Sequence, residues 1–168
     1  MDADKCLLIA IDASEASDRA VAYVARMMQG QPGLRVLLCH VSSPMPPELL
    51  EFGGRENPGA EERTEAVLHG TQAAWLEQAK QAAQPVFARA QTRLRQAAIP
   101  ESAVETRMAT PVSGEALDTT ILEAARQARC DTIVVGRTAF PWWQELVRSH
   151  LADTLLQQAK GCTLWIVQ

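Results

Sequence analysis

The sequence predicts an α/β domain, a parallel sheet with helices on both faces. Three observations predict it. Largely apolar runs of strand length recur at residues 6–11, 34–41, 131–136 and 162–167, as expected of strands covered on both sides. Between them lie stretches whose apolar residues repeat every three or four positions, the mark of helices that bury one face. Strand and helix therefore alternate, the pattern of parallel strands joined by helical crossovers. With no internal repeat and no linker, the 168 residues read as a single domain carrying an irregular insertion at about 42–60.

The first strand, 6–11, runs into Asp12-Ala13-Ser14, which opens a helix that Ser14 is placed to cap. Ala16, Ala20, Val24, Met27 and Met28 share one helical face, and Gly30, Pro32 and Gly33 stop it. The strand Leu34–Val41 completes a β-α-β unit, whose crossover should be right-handed. Residues 42–60 hold Pro44, Pro46, Pro47, Gly53, Gly54, Pro58 and Gly59. A connection of that length and composition is expected to move more than the core. A long helix follows at about 62–98, with Trp75, Ala79, Ala82, Val86, Ala90, Leu94 and Ala97 in helical register. Pro85 removes one backbone donor and predicts a kink.

In Val104–Ala109, Val104, Thr106 and Met108 alternate with Glu105 and Arg107, which fits an edge strand with one polar side. A helix at 115–128 turns Leu117, Ile121, Leu122 and Ala125 inward. The strand at 131–136 ends in Gly136, and ligands collect at the carboxyl ends of parallel strands. Close phosphate binding there calls for glycines and small hydroxyl residues. The following loop carries Phe140, Pro141, Trp142 and Trp143 instead. A helix at 149–158 and a last strand at 162–167, with Gly161 between them, complete the pattern.

The net charge of -4 supplies no general attraction to nucleic acid. No apolar run reaches membrane-span length, and Met1-Asp2-Ala3-Asp4-Lys5 lacks the form of a signal peptide. The reading is a cytoplasmic protein that binds neither nucleic acid nor membrane. Cys6, Cys39, Cys130 and Cys162 form no C-x-x-C pair. They read as small buried hydrophobes in a reducing compartment, and their spacing matches no zinc pattern.

Several of these segments together resemble the universal stress protein family over nearly the whole chain. Leu8-Ile9-Ala10-Ile11-Asp12-Ala13-Ser14-Glu15 is similar to the family's opening strand and turn. Leu37-Leu38-Cys39-His40-Val41 is similar to its second strand, which commonly ends in His-Val. Ile121-Leu122-Glu123-Ala124-Ala125, then Asp131-Thr132-Ile133-Val134-Val135-Gly136, resemble its third helix and fourth strand, and Leu164-Trp165-Ile166-Val167 its closing strand. The resemblance implies a five-stranded sheet of order 3-2-1-4-5. Strand three would lie at one edge, in keeping with its polar alternation, and the apolar strand five at the other. An exposed apolar edge invites pairing. The resemblance implies a homodimer through Leu164, Trp165, Ile166 and Val167, the same patch on both subunits. Loops that cover the edge are the alternative.

ATP-binding members of that family carry G-x2-G-x9-G-[ST] after strand four. Laid on this chain, its positions fall on Gly136, Ala139, Ser149 and His150, of which Gly136 alone matches. Asp12, Ser14, Val41 and Arg137 complete the nucleotide-binding candidates. Asp12 reads equally as a turn or cap residue, and Arg137 and Arg148 as solvated charges. His40 reads as a satisfied core residue and His69 as exposed.

No residue is assigned a catalytic or metal-binding role. The chain has no G-x-S-x-G elbow, no G-x-x-x-x-G-K-[ST] loop and no H-E-x-x-H helix. Ser149, His150 and Asp153 are too close in sequence for a triad. The glycine-rich S-G-G-x-D-S loop of adenylating enzymes is replaced by Asp12-Ala13-Ser14-Glu15-Ala16-Ser17-Asp18. A response-regulator receiver lacks its aspartate after strand three and its lysine after strand five. The expectation is a non-enzymatic, dimeric stress-response binding or interaction module with a degenerate nucleotide motif and an unknown protein partner. The alternative is a regulatory switch that binds ATP or AMP with Mg in the cleft between strands one and four.

Overall fold

The computed structural model describes residues 5–50, 58–111, 116–137 and 151–168, with the side chains of 58–65 and 151–154 excepted. Five strands, β1 (Lys5–Ile11), β2 (Leu34–Val41), β3 (Val104–Ala109), β4 (Thr132–Gly136) and β5 (Thr163–Val167), form one sheet of order β3-β2-β1-β4-β5. Every pairing is parallel. The described helices are α1 (Glu15–Met27), α2 (Pro58–Gln96), α3 (Leu117–Ala128) and α4 (Leu151–Gln158). The expected fold class and strand order are both present.

Strand side chains alternate between two sides, and two cores result. Leu7, Ile9, Val36, Leu38 and Val134 join Val21 and Val24 of α1 and Phe87, Ala90 and Leu94 of α2. Leu8, Leu37, Cys39, Ile133 and Val135 join Ile121, Leu122 and Ala125 of α3 and Leu155 of α4. The two-sided burial explains why β1 and β2 read as near-continuous apolar runs.

Element ends differ from expectation by a few residues. Within the expected irregular segment 42–60, Pro47–Leu49 form a 3₁₀ turn and α2 begins at Pro58, while 51–57 lie outside the described residues. Proline suits a helix's first turn, where its missing N–H has no partner to lose. Pro85 sits inside α2, which continues through it as one element. The expected starts of the third and fourth helices, 115 and 149, lie outside the described residues, as do Trp142 and Trp143.

The cysteine reading needs correction. Cys6 and Cys130 are joined in a disulfide, while Cys39 and Cys162 are free. Cys6 lies at the start of β1 and Cys130 just ahead of β4, and these strands are neighbours in the sheet. The two cysteines are 124 residues apart in sequence. Sheet adjacency across that distance leaves no local spacing motif to read.

Candidate functional site

The turn after β1 is built from its own side chains. Oδ1 of Asp12 accepts the Ser14 N–H at 2.8 Å and the Ser14 hydroxyl. Ser14 caps α1, its Oγ accepting the Ser17 N–H at 3.2 Å. The buried Ser17 hydroxyl accepts the Asp12 N–H at 3.1 Å, which closes a ring of bonds. Aspartate and serine favour such turns because their short side chains reach nearby main chain. Asp12 is thus the turn residue that one sequence reading allowed. It is also exposed, and its second carboxylate oxygen accepts no hydrogen bond among the described residues. The arrangement lets it hold the turn with one oxygen and present the other.

Gly136 faces this turn across the sheet. A Cβ on Gly136 would lie 2.0 Å from the carbonyl oxygen of Ala16 and 2.9 Å from the Ser17 nitrogen. Those are main-chain atoms that cannot rotate aside, so only glycine lets α1 settle on the end of β4. The packing of α1 by itself accounts for a glycine here, before any phosphate is considered.

Asp12, Ser14, Val41 and Gly136 border a common cavity of about 120 Å³, together with Ala10, Ile11, Ser17, Cys39, Leu117, Ile121 and Val135. The sequence-based candidates on β1, β2 and β4 are therefore brought together, at the carboxyl ends of adjacent strands. Arg137 stands next to them. Its N–H donates to the Val167 carbonyl at 2.7 Å and its carbonyl accepts from Arg19 at 3.1 Å. The remaining candidates, Ala139, Ser149 and His150, lie outside the described residues.

Ser17, Cys39, Leu117 and Ile121 were not among the candidates. Ser17 had a sequence signal, three residues beyond the capping serine. The other three are apolar positions on β2 and α3, indistinguishable in sequence from core. Arg89 of α2 adds a further link, its Nε pairing with Asp18 at 2.9 Å and its Nη2 reaching the Asp12 carbonyl at 3.5 Å. Nothing local announces a partner 77 residues away.

The titratable groups near the cavity are few among the described residues. Burial pushes the Cys39 thiol up to about 11, against a smaller opposing pull from Arg107. A thiol protonated at neutral pH is a poor nucleophile. His40, as expected, is a satisfied structural residue: its Nδ1 is 2.9 Å from the Ile11 carbonyl and its ring meets Phe87 edge to face. Among the described residues Asp12 is the only carboxylate bordering the cavity, and no cluster of metal-ligating side chains occurs.

Comparison with known proteins agrees with this architecture. A family model described as the universal stress protein family matches residues 5–168. No curated protein matches the sequence. Among solved structures, a universal stress protein in complex with cAMP is 16% identical with a TM-score of 0.62, the match covering 99% of this chain and 98% of that one. The Archaeoglobus fulgidus universal stress protein with dAMP is 14% identical, with a TM-score of 0.55 and 98% of each chain covered. An Arabidopsis thaliana family protein with AMP bound is 12% identical, with a TM-score of 0.58 and 97% and 90% covered.

Proposed function

The chain belongs to the universal stress protein family, and on that premise we propose that it is a non-catalytic, dimeric binding module whose cleft takes the base or sugar end of an adenine mononucleotide. The observation that carries this reading is the cavity between Asp12, Val41 and Gly136. At about 120 Å³ it is well below the roughly 300–1,000 Å³ of pockets that enclose a whole ligand. It suits one end of a nucleotide, with the phosphates directed outward. Relatives of the same fold hold AMP, dAMP and cAMP, and each is a monophosphate. The apolar walls suit a base, and the outer oxygen of Asp12 suits a ribose hydroxyl. The degenerate G-x2-G-x9-G-[ST] positions argue against a tightly cradled triphosphate. A nucleotide-controlled switch, with ATP and Mg, is the second reading. It would add partner release to the same cleft.

The test is thermal melting with AMP, ADP or ATP plus magnesium. A ligand at about a hundred times its dissociation constant stabilises by about 2.7 kcal/mol. AMP should raise the melting temperature at least as much as ATP, and Asp12→Ala should shrink the AMP response. No response to any nucleotide removes the proposal, and an ATP response far above that of AMP favours the switch.

Dimerisation is assigned to β5. Among the described residues it pairs with β4 alone, leaving its other edge for main-chain bonds, flanked by the half-buried Leu164, Trp165, Ile166 and Val167. Trp165 is itself braced edge to face against Tyr23. Strand addition through main-chain bonds is therefore the mode expected. Light scattering should give twice the chain mass, and lysine at Ile166 should lower it. A monomeric wild type refutes the assignment.

A further inference from the structure

A second concavity, of about 580 Å³, lies away from the Asp12 cavity and is walled by α1, the end of α2 and the end of β5. Among the described residues its lining includes Arg19, Arg26 and Arg93 and no acidic side chain. This concentration of positive charge is unexpected in a chain of net charge -4. Among the described residues none of the three guanidiniums has an ion-pair partner, and two of them are held by main-chain carbonyls. Arg19 donates to the main-chain carbonyl of Arg137 at 3.1 Å, and Arg93 to that of Asp18 at 3.3 Å. Arg26 has neither a hydrogen bond nor an ion pair among the described residues. The nearby Asp18 carboxylate is committed to Arg89 at 2.9 Å. Between the arginines, Ala22, Ala25, Ala97 and Val167 form an apolar floor, with the polar Gln96 and Gln168 completing the lining.

We infer that this cleft binds a small phosphorylated molecule, with its phosphate on the three arginines and its apolar body on the alanines and Val167. Arginine's planar fork matches phosphate oxygens in pairs. A terminal phosphate offers three oxygens to three forks, where a carboxylate offers two. The volume falls within the range of small-molecule pockets, and the concave form suits a compact ligand better than an extended acidic peptide. Isolated surface arginines stay solvated at no cost. Here three of them converge, and two are oriented by main-chain carbonyls.

Calorimetric titration with phenyl phosphate tests the inference, with phenol and sodium chloride as controls for the ring and for ionic strength. Phenyl phosphate should bind saturably and phenol should not. The double variant Arg26→Gln, Arg93→Gln should bind it at least tenfold more weakly, with an unchanged melting temperature showing an intact fold. The single variant Arg26→Gln, which removes no internal bond, gives an independent reading in which binding should also weaken. AMP stabilisation in these variants should match the wild type, since neither residue borders the Asp12 cavity. Failure of AMP to act on the wild type would thus count against the proposed function and leave this site untouched. Absence of saturable binding up to roughly 10 mM, or equal binding by the variants, overturns the inference. So does binding of a poly-glutamate peptide to the same arginines when phenyl phosphate does not bind.

Discussion

The two faces of the sheet are stabilised in different ways. Toward α1 and α2 the core is hydrocarbon: Leu7, Ile9, Val24, Leu38, Phe87 and Leu94 fill it without a cysteine. Toward α3 and α4 lie Cys6, Cys39 and Cys130, the disulfide, and the apolar wall of the Asp12 cavity. The first face is packed hydrocarbon with no cross-link, and its concavity, the arginine cleft, lies at the rim. The other leaves a cavity open and carries a covalent cross-link between neighbouring strands. A face that must hold a void for a ligand loses dispersion contacts along its lining, and a cross-link is one means of offsetting that loss.

The largest effect is expected on the hydrocarbon face. Leu94 is fully buried, and Leu94→Ala should cost about 3–5 kcal/mol, the range for a leucine truncated in a tight core. Urea denaturation would measure it. A loss below 1 kcal/mol would mean that this face relaxes easily, and the contrast would fail.

Breaking the cross-link comes next. Opening a loop closed over 124 residues should cost about 2–5 kcal/mol, whether by dithiothreitol or by Cys130→Ala. Before reduction, denatured protein should present to alkylation only the two free thiols, Cys39 and Cys162. Four accessible thiols in unreduced protein would contradict the pairing.

The smallest effect sharpens the comparison by pH. An unfolded thiol ionises near 9.0, whereas buried Cys39 holds its proton to about 11. The folded-state value is raised, so the stabilisation is fully present below pH 9. It is lost as pH climbs toward 11, by about 3 kcal/mol in all. Melts across that window should fall more steeply for the wild type than for Cys39→Ala. Equal slopes would show that Cys39 does not sense its burial.

The strands and helices were legible because burial writes itself into local composition. Covered strands are apolar throughout, and the edge strand β3 alternates. Its polar side is seen in the Arg35–Glu105 pair at 3.3 Å and in Arg107 donating to the Ala124 carbonyl. Half of the cleft was legible for a similar reason. Asp12 and Ser14 stand in a recognisable turn, and Gly136 ends a strand where ligands gather. Cys39, Leu117 and Ile121 were not, since an apolar side chain that lines a cavity looks in sequence like one that fills a core. The arginine cleft was illegible altogether, because Arg19 and Arg93 belong to different helices and no spacing joins them.

By itself the sequence determined the sheet, its helical layers and the likeness to a family, because each follows from patterns a few residues long. Only the tertiary structure decided that Cys6 meets Cys130 and that Gly136 admits the Ala16 carbonyl. It alone drew three arginines around one hollow. These depend on distances between residues far apart in the chain, which are set by strand order and helix packing and leave no trace in local composition.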